Sequence, residues 1–282
     1  MERVREAVLA LPGYFDSHTN IEGVAATDLF ALNTVLGATI EVQVVQTLNR
    51  MRDVWDPGDD WPLYAFERQA QTFPDVLLRK ATGTAGYEVA MGVELKGWYV
   101  LAKEREPSFR YTVTPDACTD LDLLAVVPWH LSNVLAGTPL VDTPGVWSAR
   151  YAAEHRNHWW QHLRKTAADT SIASPEGVFP YKGRENTSDK PAYDRGGNFG
   201  RIARTGIMDE WIDGVLRKPL AGIPARDWIE FLRRYADDSD LNAIWQDLHG
   251  RVRRRLDRDV EARSADAMQS LGRVVDILGS IE

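Results

Sequence analysis

Between residues 27 and 55, apolar side chains recur at spacings of three and four: Leu29, Leu32, Leu36, Ile40, Val44, Leu48 and Met51. This is the period of one helical face, so the spacing predicts a long helix over 27–55, with Thr27 or Asp28 as its cap. The stretch Asp56-Pro-Gly-Asp-Asp-Trp-Pro62 ends it with turn residues. A short helix to Gln71 is expected next, followed by a strand starting within Phe73-Pro-Asp-Val-Leu-Leu78 and a turn at Thr82-Gly-Thr-Ala-Gly86. From Tyr87 to Leu101 the period changes to two, because Val89, Met91, Val93 and Leu95 alternate with Glu88, Ala90, Gly92, Glu94 and Lys96. Period two predicts a strand.

The run Leu121-Asp-Leu-Leu-Ala-Val-Val127 is nearly all apolar, as expected of a central strand covered on both faces. Residues 146–168 predict a second amphipathic helix, and 171–206 lack any period, as long functional or disordered loops do. From Met208 onward the chain reads as helical pieces broken near Pro219, Pro224 and Asp237–Asp240, through an Arg-rich helix at 251–258. There is no internal repeat. The pattern predicts an α/β protein, with a core over 1–206 and a helical C-terminal extension over 207–282.

Composition narrows the function classes. With 282 residues, 44% of them hydrophobic, the chain can bury a core without disulfides or metals. Its single cysteine, Cys118, excludes an internal disulfide and a Cys/His zinc quartet, so a reducing, cytoplasmic setting is expected. The opening MERVREAVLALPGYF is a poor secretory signal, and no stretch approaches the ~20 apolar residues of a membrane span, so no membrane partner is expected. The net charge of −8 argues against a uniformly basic surface. Residues 151–207 differ, with nine bases against six acids, and they also hold His155, His158 and His162. A polyanion is expected to meet the chain there.

The sharpest chemical pattern is Pro74-Asp75, then Glu94-Leu95-Lys96 on the alternating strand. Glu94 and Lys96 are two apart and share a face, and Asp75 heads the preceding strand of a hairpin. Two converging carboxylates suit a hard divalent ion such as Mg²⁺, with water and phosphate filling its remaining positions. Lys96 would orient or help deprotonate the attacking water, or offset charge on the phosphate.

This pattern resembles the PD-(D/E)xK nucleases, and among them the type II restriction endonucleases. The resemblance covers about residues 27–165, in the order helix, PD strand, ExK strand, buried strand, helix. It implies a restriction-endonuclease-like mixed sheet flanked by helices, and Mg²⁺-dependent cleavage of double-stranded DNA leaving 5′-phosphate and 3′-hydroxyl ends. Asp75 and Glu94 would be the metal ligands and Lys96 the third catalytic residue. Glu41 matches the further acid that the family's leading helix often supplies. A palindromic duplex site needs two centres related by a twofold axis, so a homodimer is implied. The apolar residues Trp211, Trp228, Phe231, Leu232, Trp245 and Leu248 offer either its interface or internal packing.

Base recognition is expected mainly in residues 181–204, where six bases face three acids. The candidate DNA contacts are Lys182, Arg184, Asn186, Lys190, Arg195, Asn198, Arg201 and Arg204, since Arg and Asn read guanine and adenine edges while Lys suits phosphates. His155, His158 and His162 share a helical face that suits a transition metal, phosphate contact or plain structure. His155-Arg156-Asn157-His158 is too contiguous for the HNH chemistry its letters suggest. Trp159-Trp160 reads as packing, and Arg251–Arg255 as a salt-bridged surface. Two alternatives stay open: a structure-specific or repair nuclease on the same core, and a non-catalytic DNA-binding regulator.

Overall fold

The computed structural model describes residues 2–23, 31–69, 72–82, 86–165, 168–181, 186–237 and 250. Helix α1 (Glu2–Leu9) buries Val4, Ala7 and Val8 in the main core. Helix α2 (Leu32–Arg50) buries Leu32, Leu36, Ile40, Val44 and Leu48, the stripe that predicted it, and a short α3 (Arg52–Trp55) follows. The expected caps Thr27 and Asp28 lie outside the described residues.

A six-stranded mixed sheet forms the centre. Its strands are β1 (Ala65–Arg68), β2 (Val76–Ala81), β3 (Tyr87–Tyr99), β4 (Leu123–Leu131), β5 (Pro139–Val141) and β6 (Gly145–Ser148). They run in the order β1-β2-β3-β4, and β5 and β6 lie end to end along the far edge of β4. Within this sheet only β3 and β4 are parallel, with Glu94 opposite Leu124 and Lys96 opposite Val126. β4 is buried at every position except His130, as its apolar run predicted.

Strand alternation then sorts the helices onto the two faces. Gly97 faces α2, since a Cβ there would lie 3.6 Å from the Gly37 carbonyl oxygen. Trp98, one residue on, faces the other way and packs against Trp211 at 5.6 Å between ring centroids. That second face also receives α4 (Ala149–His158), whose N-cap Ser148 accepts from Tyr151 N–H at 3.2 Å. A π-turn (Trp159–Leu163) extends α4. The chain continues through β7 (Ile172–Ala173), β8 (Lys190–Pro191), α5 (Asn198–Arg201), α6 (Asp209–Arg217), the β9 (Pro219–Leu220) and β10 (Ile223–Pro224) hairpin, and α7 (Ala225–Asp237).

Several elements differ from the pattern-based expectation. The helix expected up to Gln71 is strand β1, where Phe66 alone is buried between half-exposed and exposed neighbours and four residues are too few to display a period. The second helix starts at Ala149, not 146, because 145–148 pair with β4, and it winds out at Leu163. The aperiodic stretch 171–206 holds the β7/β8 pair and α5, with Phe199 fully buried. Within 207–237, Val215, Leu216, Trp228, Ile229, Phe231 and Leu232 join the same core as the sheet. Trp211, Trp228, Phe231 and Leu232 are thus used inside the chain. Trp245, Leu248 and the Arg251–Arg258 stretch lie outside the described residues.

Candidate active site

β2 and β3 pair from Ala81 opposite Tyr87 to Val76 opposite Val93, and there the strands part. β3 runs on to Tyr99 with β4 on one edge only. The open edge leaves N–H groups that need acceptors. α2 supplies them: Asn33 Oδ1 accepts from Tyr99 N–H at 3.0 Å, and Glu41 Oε1 from Gly97 N–H at 3.4 Å.

Asp75 stands at this fork. Gln69 holds its backbone, donating from N–H to the Asp75 carbonyl at 2.6 Å and from its side-chain amide to the Pro74 carbonyl at 3.1 Å. Pro74 in turn lies directly over Gly92, where a Cβ would come within 2.2 Å of the proline Cγ. Only glycine permits that approach.

Asp75, Glu94 and Lys96 meet at the fork. Lys96 Nζ lies 2.7 Å from Asp75 Oδ2 and 3.0 Å from Glu94 Oε1, and Glu94 Oε2 accepts from Asp75 N–H at 3.2 Å. The side chains of Asp75 and Lys96 are 23% and 24% exposed and that of Glu94 10%, so the group is open on the Asp75 side and closed behind Glu94. Burial pushes the Glu94 carboxyl up to about 7; the Lys96 charge opposes this and the Asp75 charge adds to it. Burial alone would lower the Lys96 ammonium, but the charges and hydrogen bonds of Glu94 and Asp75 outweigh it and hold the group above its ordinary value. Lys96 is therefore a cation at neutral pH in this arrangement, which favours the charge-offsetting role over the base.

Glu41 reaches the edge of β3 from α2 and meets the backbone of Gly97, the residue after Lys96. Its Oε2 pairs with Arg68 at 3.1 Å while Oε1 takes the Gly97 N–H. Behind the site lies Asp122, fully buried, accepting from Gly92 N–H at 2.7 Å, from Thr119 N–H at 2.8 Å and from the Tyr181 hydroxyl. Asp122, Gln69 and Gly92 were not singled out from the sequence. An acid inside the apolar run 121–127 was the available signal for Asp122, and Gln69 and Gly92 carried none.

Among the described residues no three His, Cys, Asp or Glu side chains converge as a metal cage. Asp75 and Glu94 offer two carboxylates of the kind that could hold a hard divalent ion with water in its remaining positions.

The recognition candidates divide three ways. Asn186, Lys190, Arg195, Asn198 and Arg201 are exposed, and the last three share the turn around α5: Asn198 Nδ2 donates to the Arg195 carbonyl at 2.8 Å and Arg201 to Asn198 Oδ1 at 3.4 Å. Arg110 joins them, donating to the Gly196 carbonyl at 3.2 Å from a distant part of the sequence. Arg204 departs from the expectation. It is buried, donates to the Pro107 carbonyl and pairs with Glu106 at 2.7 Å, so its charge is satisfied internally. Lys182 and Arg184 lie outside the described residues. Comparison with family models, with curated proteins and with solved structures finds no match.

Proposed function

We propose that this chain is a Mg²⁺-dependent endodeoxyribonuclease of the PD-(D/E)xK kind, acting as a type II restriction endonuclease on double-stranded DNA. The observation that supports it is the fork between β2 and β3, where Lys96 bridges Asp75 and Glu94 at 2.7 and 3.0 Å beside the open edge of a mixed sheet. Asp75 and Glu94 would hold the ion. When bound, Mg²⁺ would supply Lewis-acid polarisation of the scissile phosphate and a more acidic water.

The chain's own residues do the rest. Water adds to phosphorus opposite the 3′ oxygen and gives up a proton to solvent, the P–O3′ bond breaks, and the leaving oxygen takes a proton to become the 3′-hydroxyl. Lys96, as an ammonium, offsets the charge that builds on the phosphate oxygens. Gln69 and Gly92 keep Asp75 in place through the Pro74–Asp75 backbone. Glu41 anchors the strand edge beside Lys96 and adds negative potential at the rim. The exposed Arg195, Asn198 and Arg201 turn supplies groups of the type that read base edges and phosphates. A restriction reading also implies a homodimer, one centre for each strand.

Plasmid incubated with the full chain, with and without Mg²⁺, tests the reading. Discrete Mg²⁺-dependent bands support restriction. Smears or flap removal would move the chain to a processing nuclease, and binding without cutting would make it a regulator.

A further inference from the structure

His155, His158 and His162 share a helical face in the sequence, but the structure separates their roles. His155 Nε2 lies 2.7 Å from the Thr205 carbonyl oxygen, so this ring ties α4 to the turn before α6. His158 and His162 are both exposed, with ring centroids 4.9 Å apart and planes inclined at 45°. Between them the chain leaves α-helical winding for the π-turn, closed by Arg164 N–H donating to the Trp159 carbonyl at 2.9 Å. Single π-turns are rare in α-helices and frequently mark functional sites.

The turn is held from below. Trp160 is buried edge-on against Phe199, 5.3 Å between centroids, and the Arg164 guanidinium lies 3.7 Å over the Trp160 ring. The two histidines therefore project from an anchored backbone.

Their separation has a chemical meaning. An imidazole nitrogen binds zinc at about 2.0–2.1 Å, which places each ring centroid about 3.2 Å from a shared ion. For an angle at the ion of about 90–110°, the two centroids would then lie about 4.5–5.2 Å apart. The observed 4.9 Å falls in that interval.

We propose that His158 and His162 form a two-histidine site for one first-row transition-metal ion of the Zn²⁺, Ni²⁺ and Cu²⁺ group, with water completing the coordination. Nitrogen donors select these ions and disfavour Mg²⁺, so this site and the carboxylate fork take different metals. A bound ion would clasp the π-turn, and through Trp160 and Phe199 would steady α5, which carries Asn198 and Arg201.

The test is calorimetric titration of chelator-stripped full-length protein with Zn²⁺ or Ni²⁺, in excess Mg²⁺ to keep the fork occupied. His158→Gln, His162→Gln and His155→Gln are measured beside it, with circular dichroism to verify folding. One ion per chain is expected, weakened about tenfold or more by His158→Gln and by His162→Gln, since even outer-shell partners cost that much. His155→Gln should bind as the unaltered chain does. Absence of saturable binding at millimolar metal, or binding unchanged in both His158→Gln and His162→Gln, would overturn the proposal. Neither outcome bears on DNA cleavage, because the readout is metal binding.

Discussion

Pro74 rests on Gly92 so closely that a Cβ at Gly92 would lie 2.2 Å from the proline Cγ and 3.1 Å from Asp122 Oδ1. This contact sets where Asp75 emerges from β2, and Asp75 in turn meets Lys96 at 2.7 Å. The arrangement of the charged group is therefore controlled by an uncharged residue on the facing strand.

Gly92→Ala tests that control. The added methyl must displace Pro74, a change of the overpacking kind that costs about 1–3 kcal/mol. The displacement falls on the Asp75 backbone, so on the proposed reading Mg²⁺-dependent cleavage should drop by about a hundredfold, while the protein still unfolds cooperatively. Cleavage rates and urea unfolding on the same preparation check it. An alanine variant that cuts at the original rate would show that the contact does not position Asp75.

Glu94 gives a pH signature to the metal-free protein. Its folded carboxyl is raised from the ordinary 4.5 to about 7 by burial. Between those values the folded state holds a proton that the unfolded chain has released, so stability falls as pH rises through that window and stays low above it. Glu94→Gln should flatten this dependence and stabilise the metal-free protein at pH 8. Mg²⁺ should stabilise the unaltered chain more at pH 8 than at pH 5. Urea midpoints at the two pH values, with chelator or Mg²⁺, provide the measurement.

The exposed and buried arginines of the proposed recognition segment should behave differently. Arg195→Ala and Arg201→Ala should either relax discrimination at one base pair, by about 1–3 kcal/mol, or weaken all sequences and reduce the salt slope by about one. Arg204→Ala should lower stability and leave specificity unchanged, because it opens the pair with Glu106. DNA binding at several salt concentrations separates the two classes.

The elements that carry the fork were legible because their periods are long. α2 carries five apolar residues at a spacing of four, β3 alternates over residues 88–96, and β4 opens on the apolar run Leu123–Val127. The same alternation put Glu94 and Lys96 on one face. What could not be read was the parting of β2 from β3 after Val76, which depends on the tight Pro74–Gly92 contact and on Gln69. β1 was missed because four residues hold too little pattern, and β6 because it merges with the following helix.

Residues 171–206 were illegible for a different reason. The described residues among them are held by side chains that reach distant elements, not by any repeat: Phe199 packs on Trp160, Asp189 pairs with Arg156, and Arg204 with Glu106. Composition counted Arg204 as free charge, and only the fold reveals that it turns inward. Arg110, 86 residues before its partner Gly196, was invisible to any local window.

The Arg156–Asp189 pair carries the last expectation. Both side chains are fully buried, 2.6 Å apart, and join α4 to the segment entering β8. Arg156 also donates to the Tyr111 carbonyl at 2.7 Å and lies 4.3 Å over the Phe199 ring, and Asp189 accepts from Asn157 at 3.0 Å. Burial lowers the guanidinium to about 10, with the Asp189 charge opposing the shift, so Arg156 remains a cation at neutral pH. Removing one partner leaves the other charge buried and uncompensated, and each of Arg156→Ala and Asp189→Ala should cost about 3–5 kcal/mol. The double variant strands neither charge and should cost clearly less than the sum, the signature of direct coupling. Urea unfolding of the four proteins closes the cycle. Additive losses would mean that the two side chains stabilise the segment independently, and that the packing of Phe199 and Trp160, not the ion pair, holds the turn around α5 in place.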